Sequence, residues 1–359
     1  MKRFWLLFFQ EFRFLRIALP LHLVVVVQPA LMYWLLSTIL VQPTFDMNLA
    51  EPQTPEGKSL AAAMLKVGSP IGEPYIHPVL IDPAKWDGSD QLVQVEEWQG
   101  VPTAVQYFGY IDSNLVKNYR NRLTAAALRL WNDALGNQAV RLNEQPWLPQ
   151  EMPYGVYFGM ALLPMAGFLA AAALGAAAMS QEFEGGTVMQ YRLSPVSAIL
   201  PLGVRLLRLV LVGWLSSGVL LVCVGLCSGV WPSSLFGAAL VLLPVVLFAG
   251  CLGLSAGMLT RRFLPSFVVA LIGALLSWML GSSFGLGGSF GDWYELLGRL
   301  SPNTYAVELL FPLYYGGVRL GETWLPVLAL AGFSLLALTV VVLLYRHRVR
   351  SGEPPGRRA

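Results

Sequence analysis

Apolar residues in this chain fall into six long runs separated by polar stretches of very unequal length. The first run, Ile17 to Val41, holds 25 residues without a charge, and Pro20 and Pro29 are placed to bend it. The other five are Val156 to Ser180, Leu209 to Trp231, Leu235 to Thr260, Phe263 to Phe284 and Trp324 to Tyr345, all free of Asp, Glu, Lys and Arg. Each can cross a hydrocarbon core about 30 Å thick at about 1.5 Å per helical residue. Before the first run, residues 1–16 scatter Arg3, Gln10, Arg13 and Arg16 among aromatics and leucines. That mixture predicts a retained helix lying in the membrane interface, because no small-residue cleavage site follows it.

Between the first two runs, residues 42–155 change to the composition of a water-soluble domain, with 13 acidic and 8 basic residues from Gln42 to Tyr154. Periodicity predicts a short helix over Lys58 to Lys66 and strands over Tyr75 to Ile81, Gln91 to Trp98 and Thr103 to Ile111. The clearest element is a helix over Asp112 to Leu135, where Leu115, Tyr119, Leu123, Ala126, Leu130 and Leu135 recur on one face. The expected fold class is therefore an α-helical polytopic membrane protein with six transmembrane helices and a mixed α/β extracytoplasmic domain inserted between spans one and two.

Composition agrees: 55% of the 359 residues are hydrophobic, 13% are charged, and the mean hydropathy is +0.58. A net charge of +3 with no basic stripe argues against nucleic acid as a partner. With both termini on one side, the short connections on that side carry 14 Lys and Arg and the outer connection Gly285 to Thr323 carries two, Arg299 and Arg319. The positive-inside rule then places the termini in the cytoplasm and residues 42–155 outside. The expected location is the bacterial plasma (inner) membrane, multi-pass.

Cys223, Cys227 and Cys251 fall inside apolar runs and read as packing residues, and His22, His77 and His347 are too dispersed for one metal site. No GxxxxGK[ST] occurs, so the chain lacks a phosphate-cradling loop of that kind, and no catalytic constellation is present. Charge-free spans also argue against ion-coupled transport, which ordinarily keeps ionisable groups at mid-membrane. Two small-residue ridges, Gly167, Ala171 and Gly175 in the second run and Gly253 with Gly257 in the fourth, predict close helix packing. Ser277, Trp278, Ser282 and Ser283 are, by polarity alone, candidates to line a path through the membrane.

The most informative polar stretch is Gln181 to Ser197, QEFEGGTVMQYRLSPVS. Gly185 and Gly186 permit a tight turn, Thr187 can cap a short helix, and Pro195 ends one before the next span. The order acidic, x, acidic, x, Gly, Thr, then Ser-Pro resembles the cytoplasmic coupling segment of ABC type-2 exporter membrane subunits. LSPNTYAVELLFPLYYGG, from Leu300 to Gly317, is similar to the same family, as are Gln10 to Pro20 and the whole layout of spans. The sequence departs at Phe183, where relatives often carry a basic residue, and at Phe311 and Pro312, which replace the basic residue common after Glu-Leu-Leu.

The resemblance implies a permease subunit of an ATP-driven exporter. A separate ABC ATPase subunit would dock on Glu182, Phe183, Glu184, Gly185, Gly186, Thr187 and Pro195. ATP and Mg would be bound by that partner and no cofactor by this chain. A second permease subunit, identical or paralogous, would complete the path, and a periplasmic or surface adaptor and membrane lipids are further expected partners. The cargo would be a hydrophobic or amphipathic solute, drug-like or lipid-like. A lipid-linked or polymeric cargo, or a non-transporting scaffold whose outer domain binds a partner, stay open as alternatives. The outer connection 285–323, rich in aromatics and leucines but broken by Gly and Pro, predicts a short re-entrant or interfacial helical pair. The last span over 324–345 and a basic tail over 346–359 follow it.

Overall fold

The computed structural model describes residues 4–9, 11, 19–40, 45–50, 55–68, 74–86, 91–98, 101–108, 113–135, 154–188, 199–281, 292–315 and 324–350. The chain folds as two compact units, one made of Met1–Leu40 with Tyr154–Ala359 and the other of Val41–Pro153.

The first unit is helical. Residues 4–9 and 11 are helical, and Arg3, Gln10, Arg13 and Arg16 lie outside the described residues. Then come α1 (Leu19–Leu40) and, after the second unit's α2 (Pro55–Met64) and α3 (Ser113–Leu135), α4 (Tyr154–Glu184), α5 (Ile199–Ser228), α6 (Leu235–Thr260), α7 (Phe263–Leu280), α8 (Asp292–Gly298), α9 (Pro302–Tyr315) and α10 (Trp324–Arg350). Six of these helices are long and apolar enough to cross a membrane. The chain is thus a mostly helical, polytopic membrane protein.

Helix α4 is the axis of this unit, packed by α1, α5, α6, α7 and α9 and buried through its apolar length. Its sequence explains the position. Ala170 to Ala173, Ala176 and Ala177 give a thin surface that neighbouring backbones can approach. A Cβ on Gly253 of α6 would stand 2.1 Å from the Ala172 carbonyl oxygen, and one on Gly167 would stand 2.7 Å from Ser217 Oγ of α5. Both small-residue ridges are therefore used within the chain, α4 against α5 and α6. Hydroxyls add cross-links: Ser217 donates to the Leu163 carbonyl at 2.9 Å, and Ser334 of α10 to the Pro244 carbonyl of α6 at 2.8 Å.

Away from α4 the helices present apolar side chains outward, including Leu23, Leu31 and Leu35 on α1, Ile272 and Met279 on α7, and Leu328, Leu335 and Leu343 on α10. Surface of this kind suits lipid or a partner subunit and not water. The cysteines are free, with Cys251 buried.

Helix boundaries differ from the apolar runs at two places that matter. Helix α5 begins at Ile199, ten residues before the run at Leu209, so Arg205 and Arg208 lie inside it. Helix α4 continues past Ser180 to Glu184, taking in Glu182. Hydropathy marks where a helix can meet lipid, whereas the helix itself continues while its backbone bonds and packing persist. The connection after α7 holds two short helices, α8 and α9, and Ser301 Oγ accepts from the Asn303 amide at 3.2 Å to cap α9.

The second unit carries a four-stranded sheet of order β2-β1-β3-β4, with β1 (Phe45–Ala50), β2 (Ile76–Ile81), β3 (Gln91–Trp98) and β4 (Val101–Phe108). β1 is parallel to β2 and β3, and β3 is antiparallel to β4. Helices α2 (Pro55–Met64) and α3 (Ser113–Leu135) pack together, and the core joins Met47, Leu49, Ile76 and Val93 of the sheet to Leu60, Met64, Tyr119 and Leu123 of the helices. The central strand β1 is not among the elements that periodicity predicts. Phe45, Met47 and Leu49 alternate with Asp46 and Asn48 at period two, but Asp and Asn are depleted in strands, which weakens the signal of so short a stretch. Arg122 reaches the Tyr75 carbonyl and lies 5.6 Å over the Tyr75 ring, and burial lowers its pKa from the ordinary arginine value.

Candidate functional site: the end of the central helix

Helix α4 ends where its backbone turns left-handed. The Gly185 amide bonds back to the Gln181 carbonyl at 2.8 Å, and Gly186 takes φ +69°, a conformation that costs a side-chain-bearing residue far more than glycine. A Cβ at Gly186 would meet no atom within 4 Å, so the requirement lies in the backbone and not in space. The Thr187 hydroxyl, which the sequence offers as a cap for a following helix, donates backward to the Glu182 carbonyl at 3.3 Å and so serves the end of α4.

Just before the turn, three successive side chains are each held by this chain. Glu182 pairs with Arg205 of α5, with Nη1 at 2.9 Å from Oε2 and Nη2 bonded to Oε1. Phe183 lies under the Arg261 guanidinium, 5.8 Å from ring centroid to Cζ. Glu184 Oε1 accepts from the Phe263 amide at 2.8 Å, placing a carboxylate at the first turn of α7. Arg261, between α6 and α7, is itself left-handed at φ 55°, and its amide closes α6 on the Gly257 carbonyl at 3.0 Å.

Behind Glu182 lies a four-charge cluster. Arg205 and Arg208 stand three residues apart on one face of α5, with side chains 2% and 6% exposed. Glu11, from the N-terminal helical segment, lies 3.2 Å from Arg205 Nη2 and 2.7 Å from Arg208 Nη1. Two acids and two bases thus balance in a nearly dry place, which is the condition for burying them at all. Sequence reasoning missed the roles of Glu11, Arg205 and Arg208. The two arginines count there only as positive-inside charges, although two cations in an otherwise apolar helix imply acids nearby.

Of the residues expected to couple to an ATPase, Glu182 to Thr187 come together here and Pro195 lies outside the described residues. The candidate path residues behave differently. Ser277 and Ser301 hydroxyls stand 2.8 Å apart, and Ser301 donates to the Ser277 carbonyl at 2.7 Å, tying α7 to the start of α9. Trp278 is buried edge-on against Phe158 of α4 with ring centroids 6.2 Å apart. Ser282 and Ser283 lie outside the described residues. Among the described residues no cluster of His, Cys, Asp and Glu could hold a metal ion.

A search of curated proteins finds no match to this chain. Residues 99–343, however, match the family described as ABC-2 family transporter protein, a stretch that contains the α4 turn, the α5 arginines, the α6–α7 clamps and all or most of five of the six candidate spans. The chain therefore belongs to the ABC-2 transporter permease family.

Proposed function

We propose that this chain is the membrane subunit of an ATP-driven exporter and that the turn Gly185–Thr187 is where a separate ATPase pushes on it. Family membership implies a transport subunit that works with an ATPase partner and usually with a second permease subunit. The observation that carries the docking site is the commitment of Glu182, Phe183 and Glu184 to Arg205, Arg261 and the Phe263 amide. With those three side chains engaged inside the chain, the turn beyond them is the part left to face a partner. It stands at the end of α4, which packs against α1, α5, α6, α7 and α9, so a push there bears on the helices around it.

In this reading the six spans cross a bacterial inner membrane with both termini in the cytoplasm and residues 42–155 outside, as the bias of Lys and Arg supports. Two such subunits enclose the path, and the cargo is a hydrophobic or amphipathic solute. The outer end of α7 near Ser277 and Trp278 borders that path by way of its packing on α9 and α4. An adaptor that receives the cargo would bind the sheet-bearing unit.

The test is to purify the tagged chain from its native membrane in mild detergent and to identify by mass spectrometry what accompanies it. An ABC ATPase is expected. Gly186→Pro, which cannot adopt φ +69°, should keep membrane insertion and lose ATP-dependent export. Absence of any ATPase across several detergents would overturn the proposal.

A further inference from the structure

We infer that the N-terminal helical segment, the end of α4 and the start of α5 move as one rigid block, locked by Glu11, Glu182, Arg205 and Arg208, while the turn between α6 and α7 is the joint at which the block slips. The inference rests on the exporter reading and extends it from where force enters to how it is distributed.

The two kinds of contact around the α4 end differ in what it costs to break them. Arg205 and Arg208 are almost fully buried, and their carboxylates come from different parts of the chain, Glu182 near the end of α4 and Glu11 far upstream. Separating such a pair strands charges in a medium of low dielectric, which is far costlier than breaking a solvated pair. Glu11 strengthens the lock because its two oxygens bridge both arginines, one to each, so its departure strands both at once. Opposite, the end of α6 stays close-packed on α4, where a Cβ at Gly257 would stand 3.0 Å from the Ser180 amide nitrogen. The first residue of α7, by contrast, meets the end of α4 through the hydrogen bond from the Phe263 amide to Glu184, which is exposed, and the turn before it does so through a cation over a ring. Contacts of that kind exchange with water at small cost. A stroke at Gly185–Thr187 therefore carries α4, α5 and the N-terminal segment together and shears against α7.

The N-terminal segment is built to feel that motion. Trp5, Leu6 and Phe9 are exposed, and the rings of Phe4, Trp5, Phe8 and Phe9 pack on one another. An aromatic face of this sort settles in a bilayer interface, while Glu11 ties its end to the arginines.

The test uses the complex with its ATPase in lipid nanodiscs, with Cys223, Cys227 and Cys251 replaced by Ala. Spin labels at Leu6 and Leu207 report across the lock, and labels at Leu207 and Leu264 report across the slipping turn; labelled subunits are diluted with unlabelled ones. Distances are measured by pulsed electron resonance without nucleotide and after trapping with MgATP and vanadate. The lock predicts an unchanged 6–207 distance and a shifted 207–264 distance on trapping. Glu11→Gln, which keeps the shape and removes the charge, should let the 6–207 distance shift as well, while Glu11→Asp should restore the lock and ATP hydrolysis persists in both. A 6–207 distance that already shifts in the wild type, a 207–264 distance that stays fixed, or a Glu11→Gln variant indistinguishable from wild type would overturn the inference and leave the exporter reading standing. Failure of any ATPase to join the wild-type chain would overturn both.

Discussion

The Glu184 carboxylate accepts a 2.8 Å hydrogen bond from the Phe263 amide, so the last residue of the central helix α4 serves as a cap for the first turn of α7. Arg262, at the cap position itself, makes no side-chain cap bond, which leaves the acceptor to come from a distant part of the chain. Capping carboxylates of this sort are worth about 0.5–2 kcal/mol. Glu184→Ala should lower thermal stability of the purified chain by about 1 kcal/mol. Glu184→Arg should cost more, because it sets a cation beside Arg261 and Arg262 and against the positive end of α7. Equal melting temperatures for wild type and Glu184→Arg would show that the cap is not formed in the membrane.

Arg205 is the member of the charge cluster whose loss should be felt most. Arg205→Ala takes the bidentate partner from Glu182 and one of the two arginines from Glu11. Removing one partner of a buried pair costs about 3–5 kcal/mol, whereas replacing both by apolar residues of like volume is often close to neutral. The double change Arg205→Met with Glu182→Leu should therefore be less destabilising than Arg205→Ala alone. Thermal inactivation of wild type, Arg205→Met, Glu182→Leu and the double variant measures the coupling, and additive losses would argue against a shared cluster.

Much of this architecture is legible in the sequence alone. Leu235 to Thr260 is both an apolar run and, to the residue, helix α6. Runs of that kind need no tertiary information, because a segment that avoids charge over its whole length has few alternatives to a helix in lipid. The turn after α4 is legible as well, since Gly185 and Gly186 announce a backbone that other residues avoid. What escapes is everything decided by pairing at a distance. Arg205 and Arg208 read as charges outside a span until α5 is seen to begin at Ile199 and Glu11 to stand beside them. Glu184 reads as a group for a partner, although the Phe263 amide of this chain binds it. Strand β1 escapes for a related reason, because a six-residue central strand owes its burial to neighbours on both sides.

Close packing of α4 on α6 gives a sharp contrast between two glycines. A Cβ at Gly253 would stand 2.1 Å from the Ala172 carbonyl oxygen, whereas one at Gly332 of α10 would meet nothing within 4 Å. Gly253→Ala forces two helix backbones apart and should destabilise by about 1–3 kcal/mol or more. Gly332→Ala removes freedom from the unfolded chain at no steric cost and should be neutral or stabilising by about 0.4–1 kcal/mol. Heating curves of the purified variants should separate accordingly, and a tolerated Gly253→Ala would mean that the two helices sit farther apart.

The sheet-bearing unit has a core of its own, and that makes its stability measurable apart from the membrane. Met64 of α2 is completely buried in the cluster with Met47, Leu49, Ile76 and Val93 of the sheet, while Leu128 of α3 is 56% exposed. A chain covering Val41–Pro153 should fold in solution, because this stretch forms a compact unit around that core. Met64→Ala should then cost about 2–5 kcal/mol, since the cavity it leaves is lined by packed apolar groups. Leu128→Ala should stay within about 0.5 kcal/mol. Urea unfolding followed by circular dichroism separates the two, and a Leu128→Ala loss as large as that of Met64→Ala would mean that the outer face of α3 is packed against something in this unit.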